Sequence, residues 1–176
     1  MKGKTVAESR VTLAQIIEPT DANFIDKAFG GALLARIDLC AYATASKFAE
    51  TIAVTASFDR VDFHEPIDVG ELVTLEGTVT YVGRTSMEIT IEIYADNLMQ
   101  GTHRHTNTAR VTMVALRDGK PAEVPHLICE TREDKIAYLT GRTRRKRREV
   151  HLSELNDIIA EFESATDAEL DALISG

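Results

Sequence analysis

The most prominent feature of the hydrophobic pattern is a nearly continuous run of apolar and small residues from about Gly30 to Phe48. Its length and its content of alanine and leucine favour an α-helix over a strand, and its lack of polar residues predicts that the helix is covered on most sides. Before it, apolar and polar residues alternate over residues 10–17, which predicts a first β-strand. Residues 18–23, with proline and aspartate, are typical of a loop.

After the helix, the hydrophobic spacing changes to a period of two, which is typical of β-strands. Four such segments, at residues 52–58, 73–81, 87–94 and 109–115, are separated by glycine-containing turns. The phase of the first segment shifts towards Val61 and Phe63, and a β-bulge near residues 59–60 would explain this shift. Because one apolar helix needs a covering layer, we expect a curved sheet around it. This α+β arrangement, an antiparallel β-sheet wrapped around one long central α-helix, is the hotdog fold.

The C-terminal part of the chain has a different pattern. Residues 130–138 predict a short helix, and apolar residues recur at helical spacing over residues 152–162. Thr166 and Glu169 have the spacing of a capping box that opens a last helix. We therefore predict a hotdog domain over residues 1–126 and a helical C-terminal extension over residues 127–176.

Charge is distributed unevenly along this extension. The chain has a net charge of -8, and residues 150–176 contain seven acidic residues and no lysine or arginine. Six of the seven residues from Arg142 to Arg148 are basic, and this stretch is called the basic segment below. Such a stretch is typical of a solvated surface or of a salt-bridge surface between subunits. The acids that follow would repel phosphate, so we expect no nucleic-acid partner.

Composition and motif content limit the class of protein further. No run approaches the roughly 18 apolar residues of a membrane span, and the N-terminus has no apolar segment typical of a secretory signal. Cys40 and Cys129 lie far apart, without metal-binding spacing. His103 and His105 share a strand face, but no third ligand is visible, which favours an exposed strand surface over a metal site. We expect a cytoplasmic protein with no membrane partner, disulfide or metal.

Asp38 is the unexpected residue of the central helix. Its helical neighbours at offsets of three, four and seven are all apolar or small: Gly31, Leu34, Ala35, Ala41, Tyr42 and Ala45. This pattern puts an isolated carboxylate on a predicted core stripe, where an unpaired charge is costly. Two interpretations stay open: a structural aspartate satisfied by a backbone group or a distant arginine, and a functional acid or base.

The start of the helix favours the functional interpretation. Gly30 and Gly31 would let a ligand approach outward-facing N–H groups, which suit the oxyanion that forms when a carbonyl is attacked. Asp38 lies about 10 Å further along the axis, at roughly 1.5 Å per residue, so it is poorly placed to serve its own Gly31 end. If two helices pack antiparallel in a dimer, one site could combine Asp38 and Gly31 from different chains.

Several segments in order resemble the hotdog-fold acyl-CoA hydrolases, in the branch of the brain-type and small bacterial acyl-CoA thioesterases. The matching segments are Pro19–Asn23, Phe29–Leu34 running to Asp38, Val54–Ser57, Val61–Phe63, Pro66, Val69–Glu71, Val82–Glu88 and Val111–Leu116. The resemblance covers residues 10–148. It implies hydrolysis of acyl-CoA to free acid and coenzyme A, with no cofactor beyond the CoA of substrate and product. It also implies a homo-oligomer, with a dimer as the minimum unit and a hexamer as the full assembly.

The resemblance also implies roles for individual residues. Asp38 matches the catalytic aspartate, acting as general base or nucleophile. Asn23 matches the asparagine that holds the thioester carbonyl or the water, and the two come from different protomers. Thr55 lies on the strand along which the pantetheine arm is expected to run. The turn expected to contact CoA consists of Arg84, Thr85 and Ser86.

Two other functions of a hotdog protein are compared with acyl-CoA hydrolysis. A hotdog acyl-CoA sensor, which binds without turnover and uses the basic segment on nucleic acid, is the alternative function. A hydratase or dehydratase is disfavoured because the central helix contains no histidine.

The loop before the helix departs from the family pattern. Asp26 stands where the family usually has glycine, and Phe24 and Ile25 are bulkier than usual, so the acyl-chain length is not predicted.

Overall fold

The computed structural model describes residues 2–59, 61 and 65–175. Residues 1–138 and 139–176 form two compact units. In chain order the elements are β1 (Lys4–Thr5), α1 (Val6–Ser9), β2 (Val11–Ile16), a 3-10 turn (Pro19–Asp21), α2 (Gly30–Ala49), β3 (Ile52–Phe58), β4 (Leu72–Val82), β5 (Ser86–Asn97), β6 (Thr102–Arg117), β7 (Lys120–Pro121), β8 (Leu127–Ile128), α3 (Arg132–Ser164) and α4 (Asp167–Ser175). Among the described residues, no helix is both long and apolar enough to cross a bilayer.

The first unit is built on one antiparallel sheet with the strand order β2-β4-β5-β6-β3, in which β7 pairs with β6. Helix α2 packs on this sheet and contacts β2 to β6. Its buried side chains, which include Ile37, Cys40 and Phe48, meet the inward-facing residues of the strands, such as Ile89 and Ile91. The hotdog fold predicted from the hydrophobic pattern is therefore confirmed, and the helix begins and ends within one residue of the predicted bounds.

Close contact between α2 and the sheet depends on Gly77 in β4. A Cβ atom at this position would lie 2.3 Å from Thr44 Oγ1 and 3.0 Å from Cys40 Sγ, both on the buried face of α2. Burial raises the pKa of the Cys40 thiol to about 11. Cys40 therefore stays protonated at neutral pH and behaves as a small apolar residue.

One local prediction falls partly outside the described residues, and another was wrong. The register of β3 shifts between Thr55 and Ser57, and the Asp59 N–H still donates to the Arg110 carbonyl of β6. Arg60, like Phe63, lies outside the described residues, so the bulge near residues 59–60 stays a prediction. In the extension, residues 130–138 are not a separate short helix, because α3 runs unbroken from Arg132 to Ser164.

The continuity of α3 follows from its composition. The basic segment consists mainly of arginine, a strong helix former, and the stretch that joins it to the flanking helical patterns contains no proline. Arg145 Nε donates to Glu149 Oε1 at 3.0 Å one turn later, a pairing that supports a helix. The capping interaction predicted before α4 is present, since the Thr166 N–H donates to Glu169 Oε2 at 2.8 Å.

A buried carboxylate joins the loop before β4 to β6. Glu71 is 3% exposed, and its two oxygens each accept a hydrogen bond of 2.7 Å from the guanidinium of Arg104. Glu71 also accepts the Asp68 N–H at 2.9 Å, and Arg104 donates to the Pro66 carbonyl at 2.9 Å. The hydrogen bonds from Arg104 lower the pKa of the Glu71 carboxyl. This pair fixes the 65–71 segment, which forms one wall of the cavity described below.

We expect Glu71→Ala to lower the free energy of unfolding by about 3 kcal/mol, because it leaves the Arg104 charge without its bidentate partner. Because the folded-state pKa of Glu71 is lowered, its contribution is present above the ordinary glutamate pKa and is lost as pH falls through the lowered value. Urea denaturation at pH 7 and at acidic pH measures both effects. The control is Glu50→Ala, which removes an exposed partner of Lys4 and should change stability by less than about 1 kcal/mol. Equal losses in the two variants would contradict this assignment.

Candidate active site

Asp38 lies at the edge of the buried stripe of α2, not in its centre. Its carboxylate is half-buried. Of its helical neighbours, Ala41 and Ala45 are fully buried, but Tyr42 is 44% exposed and Ala35 is also exposed. The prediction of a core position was wrong because a helix that is apolar on nearly every side carries no polar face from which its orientation can be predicted.

Asp38 has a neutral hydrogen-bonding partner. The Thr55 hydroxyl, on the neighbouring strand β3, donates to Asp38 Oδ1 at 2.5 Å. Thr55 stands directly before the register shift of β3, at a point where bulges characteristically re-aim side chains. Among the described residues, no arginine or lysine is paired with Asp38.

Exposed apolar side chains lie on both α2 and β3, the elements that carry Asp38 and Thr55. On α2, Leu39 is 60% exposed, and on β3, Ile52 and Val54 are 62% and 41% exposed. β3 is also an edge strand of the sheet, so one row of its backbone hydrogen-bonding groups has no partner among the described strands. Exposed apolar side chains beside an edge strand are typical of a surface that another protein chain covers.

Asn23 is held in the loop before α2 by its own side chain. Its Oδ1 accepts the N–H groups of Ile25 at 3.0 Å and Lys27 at 3.1 Å, and its N–H donates to the Lys27 carbonyl at 2.7 Å. Because two backbone donors meet Oδ1, the amide nitrogen Nδ2 is the end that remains to donate to a ligand. Asp26, at the tip of this loop, has a φ of 56°, in the left-handed region that glycine adopts freely and aspartate tolerates.

The Asn23 loop is attached to α2 by an ion pair. Arg36 donates to Asp21 Oδ2 at 2.6 Å, and the two side chains are only 13% and 17% exposed. Arg36 also donates to Gln15 of β2 at 3.1 Å, and the Asp21 carbonyl accepts the Phe29 N–H at 2.7 Å. The hydrogen bond from Arg36 lowers the pKa of the Asp21 carboxyl. The Asp21–Arg36 pair therefore fixes both the loop that carries Asn23 and the start of α2.

The N-terminus of α2 opens onto a cavity. Gly30 and Gly31 follow the N-cap residue Phe29, so their N–H groups have no intrahelical acceptor. A cavity of about 370 Å³ begins here, and its lining combines Asn23 and Lys27 with apolar residues such as Leu33 and Ile67. Lys27 is itself paired with Asp68. The structure therefore brings Asn23 and Gly30 to one cavity, with Gly31 next to Gly30 on the helix.

The other predicted binding residues occupy the turn between β4 and β5. In this turn the Gly83 N–H donates to the Ser86 carbonyl at 2.8 Å, and Thr85 bonds through its carbonyl to Ala115 of β6 at 3.0 Å. Arg84 is exposed. Ser86 pairs with Val114, which pairs with Val54, so the turn lies two strand spacings, or about 10 Å, from the strand that carries Thr55.

Comparison with known proteins decides the family. Residues 27–102 match the model of the thioesterase superfamily. An uncharacterized acyl-CoA thioester hydrolase of Bacillus subtilis is 38% identical over 152 residues, which are 84% of this chain and 88% of that protein. The chain belongs to the acyl-CoA thioesterase family. The resemblance inferred from the sequence is confirmed, and the protein is an acyl-CoA thioesterase.

Solved structures of related thioesterases have the same fold. An acyl-CoA hydrolase from Staphylococcus aureus, solved with butyryl-CoA, CoA and CoA disulfide, is 35% identical, with a TM-score of 0.80 over 92% of this chain and 99% of that one. Variants of that enzyme with an asparagine, an aspartate or a threonine replaced by alanine give TM-scores of 0.83, 0.82 and 0.77 at 34% identity. An apo-hexameric acyl-CoA thioesterase is 38% identical, with a TM-score of 0.83 over 86% of this chain and 98% of that one.

Three features of the thioesterase site were not predicted from the sequence. The direct Thr55–Asp38 hydrogen bond, the Asp21–Arg36 pair and the Lys27–Asp68 pair all join residues from different elements. For the Asp21–Arg36 pair there was one sequence signal. Arg36 is too close to Asp38 along the helix to pair with it, so Arg36 is available for a distant acid. His103 and His105 bond to Asp96 at 2.6 Å and Glu92 at 2.7 Å on the exposed strand surface.

Proposed function

We propose that the thioesterase site is formed by two protomers, with Asp38 from one and Asn23 and Gly31 from the other. The observation that carries this proposal is the separation of the two halves in one chain. Asp38 and Thr55 meet where α2 packs against the edge strand β3, whereas Asn23 and Gly30 line a cavity at the helix N-terminus. About 10 Å of helix axis separates Gly31 from Asp38. A second copy packed with its helix antiparallel brings one chain's Asp38 to the other's Gly31 and covers the apolar surface.

The spacing of the residues replaced in the Staphylococcus aureus variants supports the assignment. In that enzyme the asparagine and the aspartate are 15 positions apart, and the aspartate and the threonine 17 positions apart. Asn23, Asp38 and Thr55 have the same two separations in this chain. The hexameric relative supports a homo-oligomer here as well.

In the proposed mechanism, Asp38 acts as general base. It takes a proton from water, whose oxygen attacks the thioester carbonyl carbon. The partner's Asn23 donates through Nδ2 and Gly31 through its N–H to the carbonyl oxygen, which carries the negative charge of the tetrahedral intermediate. Collapse breaks the C–S bond, releases the acid, and lets the CoA sulfur take the proton from Asp38. The alternative route, direct attack by Asp38, forms an acyl-aspartyl anhydride that water then opens.

The location of the remaining groups supports a path for the CoA part of the substrate. Thr55 holds Asp38 Oδ1 on β3, and the turn of Arg84, Thr85 and Ser86 lies about 10 Å across the sheet. The pantetheine arm crosses this distance, with Arg84 available to the CoA phosphates. The acyl chain takes the cavity of about 370 Å³ beyond Asn23, where apolar residues predominate.

The test of the function is release of free thiol from acyl-CoAs of graded chain length by the intact protein. We expect hydrolysis with a chain-length optimum, because the acyl cavity has a finite size. Ile25→Ala, at the cavity mouth, should move this optimum towards longer chains. Tight CoA binding without thiol release at any chain length would instead indicate the acyl-CoA sensor.

Thr55→Val is expected to lower kcat by about tenfold with little change in KM, because it removes a hydrogen bond to a charged group while it keeps the side-chain shape. The matched variant is Thr55→Ser, which retains the hydroxyl and should keep most of the activity. If both variants are equally active, the Thr55 hydroxyl has no part in orienting Asp38.

A further inference from the structure

The second half of α3 is an exposed helix that carries an apolar stripe. Every residue from Glu149 to Ser164 is exposed. Four apolar residues share one face of this part of the helix, at spacings of three, four and three, and are called the tail stripe below: Leu152, Leu155, Ile159 and Phe162. Their side chains are between 42% and 53% exposed. Because amphipathic helices take most of their stability from packing of the apolar face, the tail stripe calls for a covering partner.

The charges at the two ends of the tail stripe have opposite signs. Arg148, Arg145 and Arg144 precede Leu152 by four, seven and eight positions, which are the offsets of residues on the same helix face. Beyond the other end, α4 begins three residues after the end of α3 and has no basic residue but three acids: Asp167, Glu169 and Asp171. The order along this face is therefore basic, apolar and acidic.

A face with this order is complementary to itself in one orientation. When two copies align their tail stripes antiparallel, Leu152 meets the partner's Phe162 and Leu155 meets the partner's Ile159, because the spacing is symmetric about its midpoint. The arginines of each copy then lie at the end of the partner's α3, where its acidic α4 begins. A parallel pair would instead place arginine beside arginine and acid beside acid, which is repulsive.

We propose that the tail stripe binds the tail stripe of a second copy of this chain, with the two helices antiparallel. The surface belongs to the C-terminal extension, which contributes no residue to the proposed active site. The proposal rests on the proposed function only for the homo-oligomer, which supplies the second copy. An antiparallel pair about a two-fold axis is isologous, so each copy gives the same residues to the contact. Because copies in one assembly have a high effective concentration, even a stripe of about three turns can pair.

Disulfide cross-linking of the full-length protein tests both the contact and its orientation. The variants are made in a Cys129→Ser background, since the other cysteine, Cys40, is buried. In Leu155→Cys/Ile159→Cys, each new thiol faces the other new thiol of the partner, so oxidation with glutathione should give a covalent dimer on a non-reducing gel. Leu155→Cys alone and Ile159→Cys alone should give no covalent dimer, because each thiol then faces an apolar side chain.

The matched control is Asp157→Cys/Glu161→Cys, which has the same spacing on the opposite face of the helix. We expect its covalent dimer to form on the order of tenfold more slowly than that of the stripe variant, since only the stripe is held in contact. Replacement of Arg144 and Arg148 by glutamate in the stripe variant should also slow cross-linking, because acid then meets acid. An unchanged rate would contradict the charge complementarity that carries the proposal.

Sedimentation equilibrium and thiol release, measured before oxidation, keep this test separate from the proposed function. Covalent dimers in both single variants would mean parallel helices and would overturn the proposal. Equal rates in the stripe and control variants would overturn it too. So would the absence of a covalent dimer in a protein that sediments as a homo-oligomer, because the stripe would then have another partner. A protein that forms the covalent dimer but releases no thiol would count against the proposed function alone, and a monomeric wild type against both.

Discussion

Asp38→Ala is expected to lower kcat for acyl-CoA hydrolysis by roughly a thousandfold, within the range that a positioned general base contributes. The physical reason is that the other groups near the carbonyl, the helix N–H groups and the Asn23 amide, are donors that cannot take a proton from water. KM should change little, because Asp38 acts on the water. Steady-state thiol release with a saturating acyl-CoA measures both constants.

Asp38→Asn is the matched variant for this prediction. It keeps the shape of the side chain and an oxygen that accepts the Thr55 hydroxyl, but it removes the basic oxygen. We therefore expect a loss similar to that of the alanine variant. Thermal unfolding should show that both variants are folded, since Asp38 is half-buried and lies at the edge of the buried stripe. Hydrolysis at the wild-type rate by a folded Asp38→Asn protein would rule out the mechanism.

The two chemical routes are separable in the same experiment. Direct attack would form a covalent anhydride on Asp38, whereas general-base catalysis leaves the protein unmodified. Rapid quenching of a single turnover with an acyl-labelled substrate should release all of the label as acid from the first time point. Transient label on wild-type protein, absent from Asp38→Asn, would establish the nucleophilic route.

The fold could be predicted because each of its elements has a local signal. The run from Gly30 to Phe48 was too long and too rich in alanine for a strand, and α2 spans Gly30–Ala49. Apolar and polar residues alternate regularly around Met87 and Ile93, and this segment forms β5, whose apolar positions are buried. These signals depend only on residues close in sequence, so they can be read without knowledge of the tertiary structure.

The candidate site was predictable only in part. Asp38 could be found because it breaks an apolar pattern. The pattern is apolar on nearly every side of the helix, however, so it does not show which side faces the sheet and which is exposed. The Thr55 partner depends on a register shift between Thr55 and Ser57, and the Asp21–Arg36 pair joins residues 15 positions apart. Such contacts follow from tertiary packing, and the spacing of residues along the sequence does not predict them.

Exposed apolar residues on α2 and β3, the elements that carry Asp38 and Thr55, favour the proposed oligomer. Leu39, Ile52 and Val54 are exposed in one chain although the sequence makes them as hydrophobic as the core. A surface of this kind is stable when another copy covers it. A symmetric pair of chains would contain two equivalent sites, each with Asp38 from one chain and Asn23 from the other.

Mixing experiments give the second large expected effect. Asn23→Ala and Asp38→Ala proteins should each be nearly inactive alone, but a mixture in which subunits exchange should recover about a quarter of the wild-type activity. Half of the dimers that form at random contain one of each chain, and each such dimer has one intact site and one doubly defective site. Co-refolding the two variants in equal amounts and measuring thiol release tests this recovery.

A reciprocal mixture makes the same test from the opposite side. When wild type is mixed equally with the double variant Asn23→Ala/Asp38→Ala, a site shared between chains leaves every mixed dimer without an intact site, so about a quarter of the wild-type activity remains. A site contained in one chain leaves one intact site in each mixed dimer, and about half remains. The single-variant mixture would then recover nothing. Because the two mixtures respond in opposite directions, incomplete subunit exchange cannot imitate the shared-site result, which requires gain in the first mixture and excess loss in the second.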